Sequence, residues 1–448
     1  METRQHLAAW RRRKVNRFSH ELGVSISGTP CGLLHEDSHG ALSFEYLPTY
    51  RGVPLSLSMP VGLAKYNDRV VRPYLMGLLP DSEATRASIA KTYGISGDNP
   101  FRLLGAIGLD CPGAVQIFDP NNTQPRFQND ELIPVSDAEV AAKLSAIRQD
   151  AAAAWTGSPS IEGHWSLGGC QAKIALRRQG RQWFECSGIS ATTHILKPGI
   201  EGMEHQALVE YLSMRIAAAI NLPTAPVTYQ FFQDEPAIVI ERYDREVSID
   251  GNVTRIHQED LCQALNVSPA CKYAEQGGPT TPQIINLLKR TGANATDNVY
   301  RFVLYLFFYY LIGATDAHAK NHSLLFEDAQ NIALAPLYDV ASIAPYRSLT
   351  PSQRQPLRAA LSIGGENRFG MLGAKHVTKM VHNCELEELG LDSNLLIDRL
   401  RIMAQLIPDA TDRMIEEART LDSAGVESIG LNMSREIRSN CSRTLELL

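Results

Sequence analysis

The chain has 448 residues, more than one hydrophobic core keeps growing to fill, so two or three domains are expected. Its 44% hydrophobic and 21% charged residues are those of an ordinary soluble globular protein, and a net charge of -6 argues against a polyanion binder over its whole length. The eight cysteines form no CxxC pair and lie mostly in apolar runs, which excludes a disulfide or zinc framework in favour of reduced, buried thiols in a cytoplasmic protein.

The N-terminal basic run, Arg11 to Lys14 with Arg17 beyond, has no apolar segment behind it and is not a signal peptide. It is the one cue for nucleic acid, and it reads as a solvated tail. Short strands follow. Leu42-Ser-Phe-Glu-Tyr-Leu47 alternates like a half-buried strand, and Pro54-Leu-Ser-Leu-Ser-Met-Pro60 is an extended segment between prolines. Helices are expected over 71–77 and 82–93, and a further helix start at Asn99-Pro-Phe-Arg-Leu-Leu-Gly105. Asp81 and Glu83 read as capping carboxylates. Pro120-Asn-Asn-Thr-Gln-Pro125 marks a surface loop, 136–154 a polar helix, and Gly157-Ser-Pro-Ser160 a boundary. Residues 1–150 are taken as a first unit without a catalytic constellation.

Residues 151–245 carry a different pattern. Trp165-Ser-Leu-Gly-Gly-Cys-Gln-Ala-Lys-Ile-Ala-Leu176 is a glycine-bearing turn between strand-like pieces, in which Gly168 and Gly169 would let backbone amides approach phosphate. An ordinary hairpin turn has the same signature. The strand Thr193-His-Ile-Leu-Lys-Pro198 ends an apolar run at Lys197, where protein kinases place the lysine beneath the α/β-phosphates. A helix over 203–220 offers Glu210 as its partner. Ala237-Ile-Val-Ile-Glu-Arg-Tyr-Asp-Arg245 reads as a buried strand running into charges. In a kinase the backbone of Glu241 to Tyr243 would there hydrogen-bond adenine.

Residues 246–448 read as a helical lobe. His257-Gln-Glu-Asp-Leu-Cys-Gln-Ala-Leu265 is expected to open a helix with acids in its first turn, Gln258 and Asp260 serving as scaffold. Residues 273–282 form a polar, glycine-rich loop. The most apolar stretch, 299–315, contains Arg301 and falls short of a bilayer span of roughly 20 residues; it is expected to be a buried core helix that delivers Asp316, and no membrane partner is implied. Asn321 stands at the fifth position after Asp316, and Asp339 comes eighteen residues after Asn321. Kinases space their catalytic Asp, its Asn and a metal-binding Asp in this way, because one carboxylate orients the attacking hydroxyl while a neutral oxygen and a second carboxylate hold Mg²⁺. Lys320 would neutralise the transferring phosphoryl group, and His318 would position the loop by hydrogen bonding. His318 and His322 have the spacing of a helical zinc pair but lack the intervening Glu of a zincin. The basic loop 347–358 reads as solvated, with contact to a protein substrate as the alternative. The remainder, as in 395–403, reads as amphipathic helices.

Asp316-Ala-His-Ala-Lys-Asn321 followed by Pro336-Leu-Tyr-Asp339 resembles the HipA family of bacterial toxin serine/threonine kinases, and the motifs at 54–60, 78–81, 110–115, 166–173 and 258–260 recur in family order. The resemblance implies an α+β, two-lobed protein-kinase-like fold with a β-rich N-lobe over 151–245, a helical C-lobe over 246–448 and an additional N-terminal subdomain over 1–150. It implies ATP and Mg²⁺ as cofactors. The segment Ser166-Leu-Gly-Gly-Cys-Gln-Ala-Lys173 looks like the family's phosphate loop, which adds Cys170 and Gln171 to Gly168 and Gly169 as ATP-binding positions, with Ser166 as the autophosphorylated serine. Ala172 stands where the family often has Glu, and Ala317 where it more often has Gly. The resemblance further implies a translation-machinery substrate such as an aminoacyl-tRNA synthetase, growth arrest, and a HipB-like helix-turn-helix antitoxin through which DNA is contacted. The competing expectations are a catalytically weak homologue acting mainly as a corepressor scaffold, and a small-molecule kinase of related fold.

Overall fold

The computed structural model describes residues 20–62, 65–95, 99–120, 131–151, 153, 165–328, 330–349 and 357–448. The basic run at 11–17, the loop after Pro120, the boundary at 157–160 and most of the basic loop 347–358 lie outside the described residues. The described residues build two units of sheet and helix followed by a largely helical third. No helix among the described residues is long and apolar enough to cross a membrane.

The first layer is a four-stranded antiparallel sheet in the order Leu42–Tyr46, Thr29–Glu36, Glu21–Ile26, Val115–Phe118. Leu42, Phe44 and Tyr46 alternate inward, as a one-faced strand must. They share a core with Tyr74 and Leu75 of helix Asp68–Gly77, Ile89 of Glu83–Thr92 and Phe101 of Pro100–Ile107. Asn99 caps the last of these, its side chain accepting from Phe101 N with Pro100 in the first turn, where a missing N–H costs nothing. The helix Glu83–Thr92 is capped by Ser82, whose hydroxyl accepts from Thr85 N. The expectation that Asp81 caps this helix is therefore corrected: its carboxylate is free to point elsewhere.

The second layer is a six-stranded antiparallel sheet in the order Leu132–Val135, Gln182–Cys186, Ile174–Gln179, His194–Pro198, Glu235–Glu241, Val227–Phe232. In Glu235–Glu241, Ala237 and Val239 join a core with helix Asp137–Gln149, while Ile238 and Ile240 join the one built by helix Gln206–Ala219. The period of two thus places a helix on each face. Strand Leu132–Val135 and helix Asp137–Gln149 belong to this layer, since Val135 pairs with Trp183. Core membership accordingly changes between Phe118 and Leu132 rather than at 150.

The third unit is helical, built on Ala295–Ile312, which has twelve buried residues and packs against Ser393–Ala418 and Ser423–Glu446 among others. One expected element differs. His257–Asp260 is a strand, paired antiparallel with Ser323–Phe326, and only then does a one-turn helix, Leu261–Ala264, begin. Asp260 caps that helix reciprocally with Gln263.

A buried ionic cluster joins the first unit to the rest. The Asp110 carboxylate accepts from Arg245 Nη2 at 2.9 Å, Arg242 Nη1 and Arg255 Nη2 at 3.3 Å each, and Thr192 Oγ1 at 2.6 Å. Asp244 answers with Gly113 N at 2.7 Å and Arg242. Three guanidinium groups around one buried carboxylate explain why Asp110-Cys-Pro-Gly stands where it does.

Candidate active site

The strand His194–Pro198 aims Lys197 into the interior, where it is 3% exposed. Its Nζ donates to Glu210 Oε1 at 2.7 Å and to Asp339 Oδ1 at 2.5 Å. Glu210 comes from helix Gln206–Ala219. Asp339 sits at φ 57°, in the left-handed region that Asp tolerates better than bulkier residues. Burial works against the Lys197 ammonium, but Asp339 and Glu210 outweigh it and hold its pKa above the ordinary lysine range. Burial also opposes the Asp339 charge; Lys197 and then Lys173 nevertheless keep its carboxyl well below the usual range.

The helix Ala295–Ile312 ends at Gly313, φ 74°, whose N–H donates to Tyr309 O. The chain then turns sharply. The Asp316 carbonyl accepts from His318 N at 2.9 Å and from Asn321 Nδ2 at 2.7 Å, so the spacing of five becomes a closed loop. That bond leaves Asn321 Oδ1 as the side-chain oxygen available to a cation. The Asp316 side chain is 64% exposed at the mouth of the cleft and accepts from the Tyr273 hydroxyl. The cleft walls, and beyond them Asp339, push its pKa up. Burial, followed by the nearby Lys272 charge, lowers His318 to about 4, so the ring is neutral. Its Nδ1 has no hydrogen-bond partner among the described residues, and its Nε2 lies 3.7 Å from Asp316. The expected loop-holding hydrogen bonds come instead from the His318 carbonyl, which accepts from Asn321 N at 3.0 Å and contacts His322 Nδ1 at 3.1 Å. The other His322 nitrogen faces Tyr309 OH at 3.1 Å, so His322 is engaged on both sides.

The glycine loop arrives from the opposite side. Gly169 has φ 104°, which other residues rarely adopt. A Cβ on Gly168 would stand 2.7 Å from Gly77 O and 3.1 Å from Lys320 Nζ, so only glycine lets the loop lie against both. Lys173 Nζ donates to Gly168 O at 2.7 Å; Gln171 Nε2 ties the loop to Pro198 O at 3.2 Å and Gln206 Oε1 at 3.0 Å. Ser166 is fully buried, its hydroxyl donating to Leu78 O at 2.7 Å. The Cys170 thiol lies 3.5 Å from Asp81 Oδ2.

Lys197, Glu210, Asp316, His318, Lys320, Asn321, Asp339 and the loop from Gly168 to Lys173 line one cavity of about 730 Å³, together with Glu241, Tyr243, Tyr338 and Tyr346; Ser166 lies behind its wall. Cavities of roughly 300–1,000 Å³ hold small ligands. In the hinge, the amides of Glu241 and Arg242 already donate to Pro226 O and Thr193 O at 2.9 Å each, and the Tyr243 hydroxyl donates to Gln258 Oε1 at 2.5 Å. Adenine recognition through those two amides is therefore closed. The donor set fits a hard divalent cation, since Asn321 and Asp339 both present oxygen. It fits a polyphosphate too: the ammonium groups of Lys173, Lys197, Lys272 and Lys320 converge on the cavity.

Three participants were not picked out as site residues from the sequence. Asp81 pairs with Lys320, and with Lys272 at 2.9 Å. Tyr273 opens the polar loop expected over 273–282, and Lys272 immediately precedes it. Their sole local signal is a charged and an aromatic residue at the edge of a glycine-rich stretch.

The family model described as the HipA-like C-terminal domain matches residues 165–416, and that described as the HipA N-terminal domain matches residues 22–118. Y4mE of Sinorhizobium fredii is 34% identical over 419 residues, covering 89% of this chain and 94% of its own. The serine/threonine-protein kinase toxin HipA of Shewanella oneidensis is 27% identical over 409 residues, 88% of each chain. A chain in the solved Shewanella oneidensis complex of HipA, HipB and operator DNA superposes with a TM-score of 0.79 at 25% identity, covering 95% of this chain and 98% of that one.

Proposed function

The chain belongs to the HipA family of serine/threonine kinase toxins, and we propose that it transfers the γ-phosphoryl group of ATP to a serine or threonine hydroxyl of a protein. The observation that carries this reading is the convergence of Lys197, Asp316, Asn321 and Asp339 with the glycine loop on one cavity. Asp316 accepts the hydroxyl proton, or orients the hydroxyl, as its oxygen attacks the γ-phosphorus; the bond from that phosphorus to the bridging oxygen breaks, and ADP leaves. Lys197, held by Glu210, lies beneath the α/β-phosphates. Asn321 and Asp339 would hold Mg²⁺, which supplies charge neutralisation to the β- and γ-phosphates when bound. Lys320 neutralises the transferring group.

Ser166 is the proposed self-phosphorylation site. It is buried against Leu78 O, so self-transfer requires the loop to leave, and a phosphate of nearly two negative charges would then repel ATP. We further propose growth arrest through a translation-machinery protein such as an aminoacyl-tRNA synthetase, and pairing with a HipB-like antitoxin that contacts DNA, as the Shewanella oneidensis complex contains HipB and operator DNA. Incubation with labelled ATP, Mg²⁺ and candidate proteins, followed by mass measurement, tests this. Label on a protein or on Ser166 supports it. Label on a metabolite alone, or none at all, overturns it in favour of a small-molecule kinase or an inert corepressor scaffold.

A further inference from the structure

The carboxylate of Asp81 comes from the N-terminal unit, yet it sits inside the cleft. Its side chain is 9% exposed, and it takes the Lys320 ammonium on Oδ1 and the Lys272 ammonium on Oδ2 at 2.9 Å. The two lysines come from different places, Lys272 from the end of a short turn at Pro269–Cys271 and Lys320 from the catalytic loop. Asp81 is a fixed post. Its N–H donates to Gly169 O at 3.1 Å, and the carbonyls of Pro80 and Asp81 each accept from Arg86 Nη1 at 2.8 Å. The phosphate loop is strapped to the same segment, since Pro80 bridges to Gly169 and Ser166 Oγ bonds Leu78 O.

We propose that Asp81 is a positioning residue for phosphoryl transfer, holding Lys320 and Lys272 side by side against the phosphate loop, and that Lys272 is a second cation for the transferring phosphoryl group. The charge count supports it: one carboxylate between two ammonium groups leaves a net positive charge facing the loop. Without Asp81 the two ammonium groups repel and swing apart. Asp81 does not act as a stand-in for phosphate, because its backbone anchors leave it no route out of the way. The N-terminal unit thereby becomes part of the catalytic machinery rather than an appendage, and a partner that shifts this unit would disarm Lys320 without touching the cleft.

This inference rests on the kinase reading. The test uses the full chain with ATP and Mg²⁺, following phosphate incorporation into the chain itself and ATP affinity by calorimetry. Asp81→Asn is expected to slow transfer roughly 10- to 100-fold, the scale of a misplaced catalytic group, with ATP affinity nearly unchanged, because Lys197, Lys173 and the loop amides remain. Asp81→Glu, which keeps the charge, should recover most of the rate. Lys272→Gln should slow transfer comparably, and combining it with Asp81→Asn should cost less than the product of the two. Full transfer by Asp81→Asn overturns the inference alone. So does a faster Asp81→Asn variant, which would make the carboxylate a competitor of phosphate, and so does a rate loss that tracks a lower melting temperature and is not recovered by Glu. No transfer in the wild type overturns the kinase reading itself, and this inference with it.

Discussion

Lys173 donates to the Gly168 carbonyl at 2.7 Å, and burial, followed by the nearby Lys197 charge, brings its pKa down to about 8. The sign of the consequence is fixed. Below that value the group is an ammonium facing the cavity; above it, a neutral amine. The half-saturating ATP concentration is therefore expected to be flat in mildly acidic buffer and to rise by up to about tenfold per pH unit above the pKa. Lys173→Arg, whose guanidinium stays charged, should flatten that profile. ATP titrations across pH check both. Asp316 is tested in the opposite way. Asp316→Asn should keep ATP affinity while losing roughly 10²- to 10⁴-fold in transfer, the usual contribution of a positioned acid–base group. Single-turnover kinetics separate the two effects.

The catalytic loop depends on how one helix stops. Gly313 adopts φ 74° at the end of Ala295–Ile312, and a Cβ there would lie 3.4 Å from Asn440 Nδ2. A left-handed residue other than glycine costs roughly 1–2 kcal/mol. Gly313→Ala is thus expected to destabilise the chain by about that amount in urea denaturation, and to slow transfer by tilting the Asp316 loop. This element was legible in the sequence, since a long apolar run ending in glycine and followed by Asp-x4-Asn is a local pattern. So was the helix start at Asn99. The strand His257–Asp260 was not. Acids before an apolar run look like a helix start, and what makes it a strand is pairing with Ser323–Phe326, which no local window contains. Asp81 and Lys272 were illegible for the same reason: their ion pair spans 191 positions, and each residue alone suits a cap or a solvated loop.

Two of the buried junctions between the N-terminal unit and the rest behave differently with pH. At the first, Asp110 pairs with three arginines, two of which Asp244 also holds; Asp110→Ala leaves an excess of buried positive charge there and should cost about 3–5 kcal/mol. Burial opposes the Asp110 charge, but Arg245 and Arg242 hold its carboxyl far below the usual range, so this junction survives mild acid. At the second, Glu259 of strand His257–Asp260 is 1% exposed and takes Ser56 Oγ at 2.5 Å and Leu57 N at 2.8 Å from the segment between Pro54 and Pro60. Burial raises its pKa from 4.5 to about 8. The folded chain therefore binds this proton more tightly than the unfolded one. The stability it confers is fully present below pH 4.5 and declines by about 1.4 kcal/mol per pH unit on the way up. It is gone once the pH passes about 8. Glu259→Gln mimics the protonated side chain and carries no titration. The melting temperature of the wild type is therefore expected to fall more steeply than that of the variant from mildly acidic to mildly alkaline pH, the two curves running parallel below pH 4.5 and above the folded pKa of about 8. Parallel curves throughout would show that Glu259 is already ionised in the folded chain, and that the Ser56 and Leu57 hydrogen bonds suffice to keep a carboxylate charged at this junction.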